Sequence, residues 1–364
     1  MVTPTEAALL DALKGVVDPN TGKDFVSTRQ LKNLRIDRGD VAFDVELGYP
    51  AASQIPALRA ELVAVARRVP GVVNVSVALQ SKVVAHAVQR GVALLPGVKN
   101  IVAVASGKGG VGKSTTTTNL ALALAAEGAQ VGILDADIYG PSQPMMMGLS
   151  GRPESADGKT IEPLVNYGVR VMSIGFMVEP DQAMIWRGPM VTQALDQLLR
   201  QTNWGDLDYL LVDMPPGTGD IALTLSQRVP LTGVVIVTTP QDIALLDAKK
   251  GLTMFEKVNV PILGIVENMS VYVCPNCGHA EHIFGADGGK RMAEQYKVEY
   301  LGALPLNLSI REQTDSGRPT VVADPDGEIA RIYKQVARRV AVAIAAKARD
   351  FSAKFPTITV SKNT

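Results

Sequence analysis

The stretch GKGGVGKST, running from Gly107 to Thr115, constrains this chain more than any other. It fills each fixed position of G-x-x-x-x-G-K-[ST], the spacing of a loop that turns its backbone N–H groups onto phosphate oxygens. Gly107, Gly109, Gly110 and Gly112 permit the curl, with Lys108 and Val111 between them. The apolar run IVAVAS precedes the loop, and an Ala/Leu-rich helical segment follows it to Glu127, closed by Gly128. A helix starting there adds a partial positive charge at the phosphate position. Lys113 is expected to reach the β- and γ-phosphates and Ser114 to ligate Mg²⁺ with its hydroxyl, and Thr115 completes the binding stretch. A nucleoside triphosphate is the expected ligand.

The rest of the chain fits the sheet such a loop needs. Short apolar strands alternate with helices through VGILDAD, VRVMSIG, YLLVDMP, VVIVTTP, ILGIVEN and YLGALP. Continuous apolar strands with helical crossovers mean an α/β fold whose mostly parallel sheet is covered by helices on both faces. The first 85 residues have a different rhythm and read as a small α+β domain. A helix is expected over about residues 5–14, with Leu9, Leu10 and Leu13 on one face. VAFDVELGY alternates as a half-buried strand, with Val41, Phe43, Val45 and Leu47 on one side. A helix over about residues 55–68 stops at Pro70-Gly71, and Val73, Val75, Val77 and Leu79 mark another strand. Residues 86–98 read as a linker and residues 99–364 as the ATPase domain. A length of 364 residues suits two domains.

Two acidic segments sit where open parallel sheets place their ligands, at the ends of strands. LDADIYGPS carries Asp135 and Asp137, and LLVDMPPGTGD carries Asp213. Lys108 adds a second lysine early in the loop. With it, KGGVGKST resembles the deviant Walker A motif of the dimerising P-loop class that includes MinD, ParA and nitrogenase iron protein. The resemblance implies a homodimer that sandwiches two ATP molecules, with Lys108 reaching the partner's nucleotide. It implies that Asp137 positions the attacking water, that Asp213 supports Mg²⁺ and that Gly217 lies where the γ-phosphate is sensed. Asn268, in VENMS, matches the residue that hydrogen-bonds adenine. Asp135 fits either magnesium or a structural role. Phosphoryl transfer needs positioning and charge neutralisation, so no nucleophilic side chain is required. Slow hydrolysis of ATP to ADP and phosphate is the expected reaction.

VYVCPNCGHAEHIFG holds both cysteines, Cys274 and Cys277, and two of the three histidines, His279 and His282. Three readings compete. Four ligands within nine residues could hold zinc, but structural zinc usually takes two well-separated pairs. A thioredoxin-like redox pair normally starts a helix, whereas Pro275 and Gly278 suggest a turn. A cubane iron–sulfur cluster takes four thiolates, and one chain offers two. A symmetric dimer would supply the other two at its two-fold axis.

GKGGVGKST, DADIYGPS, DMPPGTGD, ENMS, CPNCG and FGADGG occur in the order found in the Mrp/ApbC iron–sulfur cluster carrier ATPases. The resemblance covers about residues 99–350. It implies an ATPase that binds a cluster, [4Fe–4S], between two subunits and passes it to apoproteins, with cluster assembly proteins as further partners. Cys274 and Cys277 match the family ligands, and His279 and His282 do not. The N-terminal domain resembles the iron–sulfur assembly-like domain fused to bacterial members. Many such domains carry a cysteine in a PACP-like stretch, where this chain has Ala52 in YPAAS.

Lys+Arg and Asp+Glu balance at 36 each, which gives no general argument for nucleic acid or an anionic membrane. The N-terminus lacks a signal-peptide pattern, no apolar run reaches a membrane span, and two cysteines make no disulfide framework, so a cytoplasmic protein is expected. A MinD-like membrane anchor would need an amphipathic C-terminal helix. The helix expected over about residues 327–350 has Ile329, Ile332, Val336, Val340 and Ile344 at core spacing, and FSAKFPTITVSKNT after it is not helical in pattern. Residues 331–364 hold eight Lys/Arg against one Asp, but no DNA-reading motif accompanies them. Neither membrane nor nucleic acid is an expected partner. The alternative function is a MinD/ParA-like dimerising switch with structural zinc at the cysteines.

Overall fold

The computed structural model describes residues 4–89, 92–155, 157–177 and 188–347. The chain begins with a helix, α1 (Glu6–Leu13), capped by the Thr5 hydroxyl, which accepts from the Ala8 N–H at 3.2 Å. Strands β1 (Leu31–Asp37) and β2 (Asp40–Leu47), helix α2 (Ile55–Arg67) and strand β3 (Asn74–Ser81) complete the small sheet. β1 runs antiparallel to β2, and β2 parallel to β3, so α2 is the crossover. Val41, Phe43, Val45 and Leu47 of β2 are buried and their neighbours are not, as the alternation predicts. β1 escapes the pattern. Its register shifts between Lys32 and Arg35, with Asn33 at φ 52°, and this bulge breaks the period of two.

The large sheet is built from β4 (Val98–Ala105), β5 (Val131–Asp135), β6 (Leu164–Asn166), β7 (Val169–Ser173), β8 (Leu207–Asp213), β9 (Gly233–Thr238), β10 (Ile262–Glu267) and, last in the chain, a strand at Tyr300–Ala303. The hairpin strands β11 (Tyr272–Val273) and β12 (Ala280–Glu281) form a separate ladder, which makes the strand at Tyr300–Ala303 β13. The order across the sheet is β13-β10-β9-β4-β8-β5-β7-β6, parallel except for β6, a short antiparallel edge. β6 and the hairpin are too short to leave a periodic signal.

Helices α3 (Lys113–Ala126), α4 (Gln143–Met146), α5 (Gly188–Gln201), α6 (Asp220–Arg228), α7 (Asp242–Lys257), α8 (Gly288–Tyr296), α9 (Leu308–Asp315), α10 (Thr320–Ala323) and α11 (Glu328–Ala345) surround this sheet. Alternate residues of β4 enter opposite cores. Val102 and Val104 face the core shared with α3 and α11, and Ile101, Ala103 and Ala105 face the core shared with α5, α6 and α7. The α3/α11 core continues into Leu9, Phe43 and Leu62 of the small domain. On α11, Val336, Val340 and Ile344 are buried as expected, whereas Ile329 and Ile332 are only partly so. Tyr333, Ala337 and Ala341 fill the buried stripe instead, and the alanines let α11 lie close to α3. Residues 348–364, on which the rest of that helix and the terminal-anchor argument fall, lie outside the described residues. No described helix is long and apolar enough to cross a membrane.

β4 lies at the centre of the sheet, where strand order reverses. The chain moves to β5 on one side and later to β9 and β10 on the other. The crevice at such a switch point is where open α/β sheets bind ligands.

Candidate functional site

The loop after β4 occupies that switch point and leads into α3 at Lys113. Gly112 stands at the helix N-terminus with φ 81°, and a Cβ there would come within 2.2 Å of the Asn268 amide nitrogen. Gly107 is equally confined, because a Cβ would lie 2.1 Å from the Asp247 carbonyl carbon of α7. Gly109 and Gly110 have nothing within 4 Å of a notional Cβ, so the loop is open above its centre. Its base is held by Gly217, whose N–H donates to the Ser106 carbonyl at 2.9 Å.

Lys113 is 6% exposed. Its ammonium donates to Asp213 Oδ1 at 2.6 Å and to Ser114 Oγ at 3.1 Å, and lies 3.8 Å from Asp137 Oδ2. Loop lysine, loop serine, Asp213 at the end of β8 and Asp137 just beyond β5 therefore meet at one point. β5 and β8 are adjacent, with Asp135 and Asp213 as register partners. Two buried carboxyls side by side are hard to ionise together. Burial, helped by the Asp213 charge, pushes the Asp135 carboxyl up to about 7, against hydrogen bonds from the Gln143 and Asp137 N–H groups and the Ser173 hydroxyl. Burial also raises Asp137, opposed by the Lys113 charge.

One residue here has no warning in the sequence. Gln143, fully buried, donates from Nε2 to Asp213 Oδ2 at 2.9 Å and to the Ser114 carbonyl at 3.2 Å. Its Oε1 accepts from the Thr118 hydroxyl at 2.7 Å, and its N–H reaches Asp135 Oδ2 at 3.1 Å. It joins the loop helix to both strand ends. Thr117 adds a donor to Asp213 Oδ1 at 3.1 Å. A glutamine eight positions after Asp135 carries no recognisable signal, since its partners are set by sheet order.

Lys108 behaves differently from Lys113. It is half-buried, its carbonyl accepts from the Ser106 hydroxyl, and its ammonium has no polar partner among the described residues. Asn268 follows β10 and donates to the Val111 carbonyl at 2.8 Å, so its amide braces the phosphate loop.

Six residues further on, Cys274 opens the turn between β11 and β12. Its N–H donates to the His279 carbonyl, and its carbonyl accepts from the Gly278 N–H, both at 2.9 Å. Gly278 takes φ 72°, which closes the knuckle. Cys277 is exposed and Cys274 partly so. Backbone N–H groups of Asn276 and Cys277 pull the Cys274 thiol below its usual range, which favours the thiolate. His279 is exposed, and the His282 ring faces the Ser270 carbonyl at 2.7 Å. Among the described residues no three His, Cys, Asp or Glu side chains gather as a metal site.

The chain is similar to known proteins over both parts. Residues 97–341 match the family described as NUBPL iron-transfer P-loop NTPase, and residues 6–77 the family described as iron-sulfur cluster assembly protein. An iron-sulfur cluster carrier protein of Pseudomonas fragi is 60% identical over 269 residues, covering 73% of this chain and 94% of the relative. One of Synechocystis is 44% identical over 348 residues, covering 93% and 97%. Among solved structures, a nucleotide-binding protein in complex with ADP from Archaeoglobus fulgidus is 39% identical with a TM-score of 0.56, covering 64% of this chain and 90% of that one.

Proposed function

This chain belongs to the NUBPL iron-transfer P-loop NTPase family, and on that premise we propose that it is a homodimeric ATPase that carries an iron–sulfur cluster and delivers it to apoproteins. The observation that carries the reading is the pairing of a complete phosphate site with an exposed, half-complete thiol site just beyond Asn268. Cys274 and Cys277 supply two thiolates, and a second copy would supply two more, the number a [4Fe–4S] cluster takes. Cluster assembly proteins would load the cluster.

The phosphate site suits nucleotide chemistry. Lys113 would bind the β- and γ-phosphates, and the loop from Gly107 to Thr115 would turn its N–H groups on them. Ser114 and Asp213 offer the hard oxygen donors that Mg²⁺ takes, and the ion, when bound, neutralises phosphate charge. Asp137 would orient the attacking water, Lys108 would reach the partner's nucleotide, and the Asn268 oxygen is free of the Val111 bond to meet adenine. Gly217 would sense the γ-phosphate through the bond it makes to the loop base. Residues 1–85 would be the iron–sulfur assembly-like domain, joined through residues 86–98 to the ATPase domain whose α3/α11 core it shares. A cytoplasmic setting belongs to the proposal, since thiolates persist in reducing surroundings.

Anaerobic reconstitution, with iron and sulfide analysis and absorption spectroscopy, tests the reading. Wild-type protein should bind iron and sulfide, and Cys274→Ala and Cys277→Ala should bind neither. Zinc without iron in the wild type would sink the carrier function. An intact cluster in either variant would remove that residue from the ligand set.

A further inference from the structure

A second concavity lies where the small domain meets β13 and α11. It is a cleft of about 860 Å³, within the range of ligand-binding clefts, and no described residue of the phosphate loop or the cysteine hairpin lines it. Its floor is aliphatic, formed by Leu47, Val84, Leu301, Val342 and Ala343. Its rim is basic. Lys23, Arg29, Lys32, Lys82 and Arg339 face only Glu46 and Glu299, in a chain whose formal net charge is zero.

Two of these five cations are uncommitted. Glu46 is ion-paired with Lys32 and lies 3.8 Å from Lys82, and Arg339 donates to the Leu301 carbonyl at 3.1 Å. The Lys23 ammonium and the Arg29 guanidinium have no polar partner among the described residues. Arg29 is also held in the left-handed region at φ 58°, which residues other than glycine rarely adopt. The turn around it is pinned. Ser27 N–H donates to Asp24 Oδ1 at 2.7 Å, and the Gln30 and Leu31 N–H groups both reach the Phe25 carbonyl at 3.0 Å. Strain that the surroundings enforce tends to mark functional positions.

The geometry points to this cleft as the docking site for an acidic, extended peptide segment of a partner protein, its apolar side chains on the aliphatic floor and its carboxylates along the Lys23–Arg29–Lys82 rim. The cations are spread over separate elements and are exposed at their ends, Lys32 by 46% and Lys82 by 63%. Lys32 and Lys82 converge on Glu46, whereas Lys23 and Arg29 lie on the loop before β1 and Arg339 on α11, so the remaining charge is distributed along the rim as a chain would meet it. The protein's own C-terminal residues 348–364 are a poor occupant, with Arg349, Lys354 and Lys362 against Asp350. The wall at β13 also leads on to the cysteine end of the molecule. Beyond β13, the Leu304 N–H donates to the Glu267 carbonyl at 2.8 Å, the Leu304 carbonyl accepts from the Ser270 N–H at 3.0 Å, and the Leu306 N–H donates to the Val271 carbonyl at 2.9 Å. A docked segment would therefore rest on the strand whose continuation braces the approach to Cys274. The inference does not depend on what the cysteines bind.

Fluorescence anisotropy with a labelled peptide of alternating glutamate and leucine, on the full-length chain, tests it. Binding should saturate, weaken with added salt, and fall about tenfold in the Lys23→Glu and Arg29→Glu variants. Arg29→Gly keeps the left-handed backbone and removes the guanidinium. It should weaken binding in the same direction without lowering the melting temperature. ATP turnover should stay at the wild-type level in all three. No binding, equal binding of a lysine–leucine peptide, or binding indifferent to these substitutions would overturn the proposal. So would polyuridylate RNA binding with the same dependence on Lys23 and Arg29, which would make the cleft a nucleic-acid site.

Discussion

The phosphate loop and the cysteine hairpin are joined by the short run from Asn268 to Cys274, yet they are organised in opposite ways. Around the loop, Lys113, Asp135, Asp213 and Gln143 are buried and bonded to one another across four elements of one chain. At the hairpin, two thiols sit on an exposed knuckle shaped almost wholly by its own backbone. A buried polar network holds its geometry because an unsatisfied member is costly. An exposed knuckle has no such constraint and can present its ligands outward. The first arrangement suits chemistry that one subunit mostly assembles, and the second suits a group shared with another molecule.

If the two sites are separate, the largest effect comes from Lys113→Ala. ATP turnover should fall by about 10²–10³, the loss typical of removing one preorganised charge-stabilising donor, while reconstituted iron and sulfide stay at wild-type levels. Equal loss of both would break the distinction. Gln143→Leu sharpens it from within the network. The variant removes three side-chain hydrogen bonds, one of them to the buried Asp213 carboxylate, at a cost of about 2–3 kcal/mol. A reduced kcat or a weakened Mg²⁺ dependence with unchanged cluster content is expected. Wild-type kinetics would show that Gln143 only fills space.

What the sequence made legible follows the same division. The loop and the cysteine pair are contiguous stretches, so both stood out as candidate sites, although spacing alone left the pair open between zinc, redox and cluster. Gln143 could not, because it meets Asp213 only through the adjacency of β5 and β8. The same adjacency makes Asp135 and Asp213 neighbours, and this gives Asp135 its character. Asn268 was legible as a residue of the site, but its bond to Val111 was not. In the small domain, β2 declared itself by alternation and β1 was hidden by its bulge. The strand list of the large sheet was readable because each strand is a buried apolar run. Strand order, which decides what meets what, was not.

Asp135 gives a smaller, pH-dependent effect confined to the buried side of the comparison. Burial, helped by the Asp213 charge, pushes its carboxyl up to about 7 from the 3.8 of an ordinary aspartate. Between those values the folded state holds a proton that the unfolded state has lost. Its contribution to stability is full below the unfolded value and disappears as pH rises through the folded one. For the nucleotide-free protein, thermal unfolding should show wild type losing about 2 kcal/mol relative to Asp135→Asn as pH rises from about 5 to about 8. Cysteine-bound iron should not follow this profile. A flat difference between wild type and variant would mean that Asp135 stays ionised throughout.

The smallest effect concerns the far end of the loop helix. α3 begins at Lys113 and is followed by Glu127, whose buried carboxylate accepts from the Ser53 N–H at 2.9 Å and the Ser53 hydroxyl at 2.7 Å, and pairs with Arg338. The small domain thus grips the helix that carries the phosphate loop. Ser53→Ala removes one of these donors and leaves the backbone bond, so a stability loss of about 1 kcal/mol is expected. Because the contact is on α3 and not on β11 or β12, any functional change should appear in ATP turnover before it appears in cluster content. Measuring both on one preparation decides the matter. A cluster that becomes labile while turnover holds would mean that the small domain acts on the hairpin by another route, and that the two sites are less separate than their bonding suggests.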